Sequence, residues 1–227
     1  MPTTLQVEQI IKLFIGYFDR APAPGGTNYW AGRLEGTPGA PAITWAGIAE
    51  SFSVQKETVA LYPIMETRDF SKDSIQSFLN SVFNNLFGRD IREGGLEYWS
   101  GQLTSGRTVG EIILDIINGA NSGPNKDRID NKVAVSVDFY NATNAIEGFV
   151  FDDAARAVAK DLLKTVTDDP ATVASAQEKT TTYINDLSGS GGGDTPVEGS
   201  TINLTANADL PGGDGGGTNT AGTANND

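Results

Sequence analysis

The sequence predicts a mainly α-helical protein: a multi-helix domain over residues 1–187, built from a duplicated helix-turn-helix unit, with a short β/loop tail behind it. Three observations carry the prediction. Apolar residues recur at helical spacing through most of the first 187 residues. A block of 25 residues recurs at an offset of 69. Beyond Leu187 the composition changes abruptly to Gly and Ser, and lysine and arginine vanish.

In chain order, the first segment places Val7, Ile10, Ile11, Phe14, Tyr17 and Phe18 near the 3.6-residue period, behind Thr3 and Thr4 as N-cap candidates. Glu8, Lys12 and Asp19 interrupt its apolar residues, and no basic stretch precedes them, so 1–20 reads as an amphipathic helix rather than a signal peptide. Comparable segments predict helices over 73–87, 108–118, 126–141, 152–166 and 170–187. The last has Asp169 as cap and Pro170 at the first helical position, where the missing N–H costs little.

Residues 10–34 align with 79–103 without a gap, and nine of the twenty-five positions are identical. The identities pair Phe14 with Phe83, Phe18 with Phe87, Arg20 with Arg89, Gly25-Gly26 with Gly94-Gly95, Tyr29-Trp30 with Tyr98-Trp99, Gly32 with Gly101, and Leu34 with Leu103. Such a pattern describes a helix ending at a Phe-x-Arg corner, a reversal permitted by the glycine pairs, and a second helix that returns an aromatic pair to the first. Each unit is too small to bury its aromatics alone, so the two are expected to share a core.

Charge and composition narrow the function. Net charge is −13, with 16 basic against 29 acidic residues, which opposes the phosphate attraction behind nucleic-acid binding. The same charge repels an anionic surface unless divalent cations intervene, and calcium is the hard cation suited to carboxylate and carbonyl oxygens. With no cysteine and no histidine, disulfides, thiolate nucleophiles, imidazole bases and ordinary zinc sites are removed together. A carboxylate pair for glycoside chemistry needs an enclosed cleft, and no spacing points to one. The expectation is a non-enzyme. No run is apolar enough for a transmembrane helix, so no membrane insertion is expected.

The stretch NLFGRDIREGGLEYWSGQL (85–103), with IAESFSVQKETVALYP (48–63) and NKVAVSVDFYNA (131–142), resembles the tandem helical domain found in bacterial RTX-type secreted proteins and surface-layer proteins. The likeness covers roughly residues 5–145. Farther on, ATVASAQEKTTTYINDLSGS (171–190), STINLT (200–205) and AGTANND (221–227) are similar to the junction where a surface-layer anchor passes into calcium-binding RTX repeats. On this reading 188–199 is a Gly/Ser linker and 200–227 the start of an RTX-like β region, cut short as the repeats begin. Neither glycine-rich piece is a full repeat, because Gly217, Thr223 and Asn225 stand where the nonapeptide pattern differs.

The resemblance implies an amino-terminal anchoring region at the bacterial cell surface, exported by a type I route. Its partners would be the O-polysaccharide of lipopolysaccharide and neighbouring copies in an oligomer or lattice, with calcium as cofactor. An accessory or spacer domain of a secreted RTX enzyme is the alternative.

Candidate glycan-binding residues are Tyr29, Trp30, Trp45, Tyr98 and Trp99, whose rings suit the apolar face of a sugar, and Arg20 and Arg89, which suit its acidic groups. Core packing for the Tyr-Trp pairs and helix-end capping for the arginines are the competing assignments. Candidate calcium ligands are Asp152, Asp153, Asp168 and Asp169 near helix starts, and Asp209, Asp214 and Asp227 among the glycines of the tail. N-capping competes for the first four.

Overall fold

The computed structural model describes residues 2–36 and 39–189, and among them the fold is mainly helical, with eleven helices and no strand. The expected segment 200–205 and Asp209, Asp214 and Asp227 lie outside the described residues. Helix α1 (Thr4–Phe18) starts at a capping box: the Thr3 hydroxyl accepts from the Gln6 N–H, and the Gln6 side chain accepts from the Thr3 N–H. α2 (Pro24–Glu35) follows with proline in its first turn. Next come α3 (Trp45–Ser53), α4 (Lys56–Leu61), α5 (Ile64–Thr67), α6 (Lys72–Phe87), α7 (Glu93–Thr104), α8 (Val109–Gly119), α9 (Gly123–Asn144), α10 (Asp153–Lys164) and α11 (Ala171–Gly189).

Two helix boundaries fall within one or two residues of the expected positions. Pro170 precedes α11 instead of opening it, while the Asp169 carboxylate accepts from the Ala171 N–H at 2.9 Å. At the other end α11 runs through Ser188 and Gly189, two residues past the expected helix end at Leu187.

A larger correction concerns the reversal. Gly25-Gly26 lie within α2 and Gly94-Gly95 within α7, so these pairs are helical and make no turn. The chain turns instead at Asp19 (φ 49°) and Gly88 (φ 64°), each the left-handed residue that closes the preceding helix. They are equivalent positions of the repeat, and the second is the glycine this conformation favours.

The duplication reaches beyond the 25-residue match. α3 and α8 both begin at a capping threonine: Thr44 accepts from Gly47 N–H, and Thr108 from Glu111 N–H. The order α1–α2–α3–α4 is thus echoed by α6–α7–α8–α9. The copies meet along α1 against α6 and α3 against α8. At the first crossing Asn85 Nδ2 donates to the Gly16 carbonyl (3.0 Å), and these two are repeat equivalents. Lys132 of α9, nearly buried, ties the joint by donating to Asp19 Oδ1 and to the Asn85 carbonyl, both at 2.6 Å. At the second crossing Gly110 lets α8 approach so closely that its N–H reaches the Glu50 carboxylate at 3.0 Å. One continuous apolar core runs through both copies and on to α10 and α11, which is the shared core the small units require.

Candidate functional site

The two Phe-x-Arg corners fold alike and end differently. In each copy the first helix presents two phenylalanines one turn apart, and the arginine after the corner folds back over them. The Arg20 guanidinium lies 5.1 and 5.2 Å from the Phe14 and Phe18 ring centres, and Arg89 lies 5.5 and 5.6 Å from Phe83 and Phe87. Both also donate to a backbone carbonyl of the corner, Arg20 to Ala21 and Arg89 to Asp90.

Around the first corner the later chain closes in. The Phe151 ring is a third aromatic against Arg20, its centre 5.2 Å from the guanidinium. Glu57, in the first turn of α4, accepts from Arg20 Nε at 3.1 Å and Nη2 at 2.8 Å, and Arg156 of α10 donates to the same carboxylate at 2.9 Å. Burial works to raise the Glu57 carboxyl, yet Arg20 and Arg156 together hold it below the usual carboxylate value. Arg20 is 1% exposed and is withdrawn from any ligand.

The aromatic pairs follow the same division. Tyr29–Trp30 and Tyr98–Trp99 are each edge-on, with centroids 5.0 and 4.8 Å apart. Trp30 is 0% exposed and packs on Phe52, so it has no face to offer a sugar, and Tyr29 is half-buried with its hydroxyl accepting from Arg33. For the first copy, then, core packing replaces the candidate glycan contacts Arg20 and Trp30. In the second copy Tyr98 is 56% exposed, Trp99 is half-buried and Arg89 stays partly open. Trp45 is half-buried against the core.

The acidic candidates among the described residues do not gather. Asp152 caps α10 by accepting from the Ala155 N–H at 2.8 Å, Asp153 follows it in the first turn, and Asp168 and Asp169 sit before α11. Among the described residues no group of three acidic side chains is placed to hold a metal ion. Asp152 and Asp153 lie at the start of α10 and Asp169 caps the start of α11.

Sequence reading passed over a groove of about 380 Å³ beside the second corner, lined by Phe87, Arg89, Arg92, Ser122, Pro124, Asn125, Arg128 and Asp168. Arg128 lies flat against the backbone of Gly88, the corner glycine, and its buried Nε has no hydrogen-bond partner. Burial and the neighbouring charge of Arg92 push the Arg89 guanidinium below its ordinary value. The signal available in sequence was the close pair Arg89 and Arg92 in a strongly acidic chain; Arg128 lies 36 residues farther on.

Fold and site define a mainly helical protein, internally duplicated over the described residues, whose first aromatic–arginine corner is sealed and whose second is open. Residues 65–122 match the family model described as "Domain of unknown function (DUF4214)", a span that holds α6, α7 and α8 and so the second corner. No curated protein and no solved structure matches the chain. No helix among the described residues is long and apolar enough to cross a membrane.

Proposed function

We propose that the chain is a non-catalytic anchoring domain of a bacterial cell-surface protein of surface-layer or RTX-secreted type. It grips the O-polysaccharide of lipopolysaccharide through the open face of α7, with Tyr98 and Trp99 as the stacking surface. Calcium bridges the acidic protein and the anionic glycan, and neighbouring copies pack into an oligomer or lattice. Such a protein is extracellular and leaves the cell by a type I route.

The observation that supports this reading is the unequal fate of two identical pairs. A Tyr-Trp pair needed only for the core would be withdrawn from water alike in both copies, yet Trp30 is fully buried and Tyr29 half-buried, whereas Trp99 is half-buried and Tyr98 keeps more than half its surface in water. A ring in that setting, with polar neighbours Glu97 and Gln102 to meet hydroxyls, suits the alternating apolar and polar surface of a sugar chain.

The test is retention of the protein on smooth and on rough lipopolysaccharide, in calcium and in chelator, for wild type and Tyr98→Ala. Selective retention on the smooth form, lost in chelator and weakened in the variant, is expected. Equal retention on both glycoforms would return the chain to the role of a spacer beside a secreted enzyme.

A further inference from the structure

We infer that the groove beside Gly88 is an anion site that takes a carboxylate group from a ligand, in the place that Glu57 fills in the first copy. The argument compares the molecule with itself. Each copy sets an arginine over two phenylalanines and brings the first turn of its fourth helix up to that arginine. In the first copy this turn, at the start of α4, supplies Glu57, which grips Arg20 through two hydrogen bonds. In the second copy the turn is Gly123, Pro124 and Asn125 of α9, which lines the groove with Arg89 and contains no acidic residue.

The missing charge is compounded by what surrounds the gap. Arg92 and Arg128 join Arg89 in lining the groove, and none of the three forms an ion pair among the described residues. Among the lining residues Asp168 is the single acidic one. The start of α9 adds to the imbalance: Ser122 occupies the N-cap position without a side-chain cap bond, so the positive end of a 22-residue helix faces the same space. A chain with 29 acidic residues has ample means to neutralise three arginines, yet it leaves them together. Guanidinium groups match a planar carboxylate in two-point geometry, the geometry Arg20 and Glu57 already display.

The site uses different residues from the aromatic face of α7 and does not depend on the anchoring role. Binding to the full chain is measured by calorimetry and by amide NMR shifts of residues 88–92 and 122–128, with acetate, glucuronate and glucose as probes at matched ionic strength. Acetate and glucuronate are expected to bind saturably, and glucose is not. Equal affinities for the two acids assign a simple carboxylate, and glucuronate binding tenfold tighter assigns a sugar acid; both support the site.

Arg92→Gln, at an exposed position that leaves the fold intact, is expected to weaken binding by about tenfold, the worth of one charge-assisted bond. Pro124→Glu, which puts a carboxylate where α4 carries Glu57, is expected to fill the groove from within and remove binding. Acid binding no stronger than chloride, or unchanged affinity in both variants, would overturn the assignment.

Discussion

Gly110→Ala is the sharpest probe of how the two copies are joined. Gly110 sits in the first turn of α8, and an added Cβ would lie 2.6 Å from the Ala49 carbonyl carbon and 2.7 Å from Glu50 Cα, with the Glu50 nitrogen nearer still. All three are backbone atoms of α3, so no side chain can swing aside. Restoring contact at about 3.5–4.0 Å requires the helices to part by roughly 1 Å, which forfeits a quarter to a half of the dispersion energy across the seam. Overpacking of this kind costs about 1–3 kcal/mol or more, and the gain in helix propensity, below about 1 kcal/mol, offsets only part of it. The expected net loss is about 2 kcal/mol, or roughly 4–8 °C in Tm for a domain this size. Urea and thermal unfolding followed by far-UV circular dichroism measure it. Gly101→Ala is the control, since a Cβ there meets nothing within 4 Å in a helix of the same protein, and it should stabilise by about 0.5–1 kcal/mol. If Gly110→Ala were as stable as Gly101→Ala, the close α3–α8 approach would be wrong.

The two aromatic pairs give a second contrast: Trp30→Ala should cost about 3–5 kcal/mol in urea unfolding, and Trp99→Ala roughly half as much because its ring is only half-buried. Glu57→Gln removes the carboxylate charge that the buried Arg20 shares with Arg156 and should cost about 3 kcal/mol near neutral pH. Because the folded Glu57 carboxyl is held below its ordinary 4.5, its contribution is complete above that pH and fades as pH falls through the folded value. The wild-type advantage over Glu57→Gln should therefore shrink on acidification, and an advantage that grew instead would contradict the ion triad. Tyr98→Ala should leave stability within about 0.5 kcal/mol while lowering retention on smooth lipopolysaccharide by about five- to tenfold, the worth of one stacking contact of roughly 1 kcal/mol.

Much of the helical scaffold is legible residue by residue, because it rests on local chemistry. The Thr3 cap, the α8 start at Thr108 and the period of Ile10, Phe14 and Phe18 each act within a turn or two of chain. The reversal is hard to read from sequence for a related reason. Gly25-Gly26 and Gly94-Gly95 carry the compositional signal of a turn, but Pro24 in the first turn of α2 marks a helix start, and the left-handed residues at Asp19 and Gly88 differ in type between copies. Helices α4 and α5 are too short for a period to show. Glu57 was invisible as a partner because it lies 37 residues from Arg20 and no spacing rule links them.

The sites are illegible for a deeper reason, which the duplication itself exposes. Two copies with the same Phe, Arg, Tyr and Trp fold to the same corner, so identity between them reports the packing that any copy needs. What separates them is supplied from elsewhere in the chain: Glu57 from α4, Phe151 from the loop before α10, and Arg156 from α10. These close the first corner with an internal carboxylate and a third ring, and no described residue does the same for the second. Arg128 and Gly88, by contrast, occur around the second corner only, where Asp19 stands in the first. In a duplicated fold, then, the shared residues are the poorest guide to function, and the informative positions are those where one copy is completed by its own chain and the other is left to be completed by a ligand.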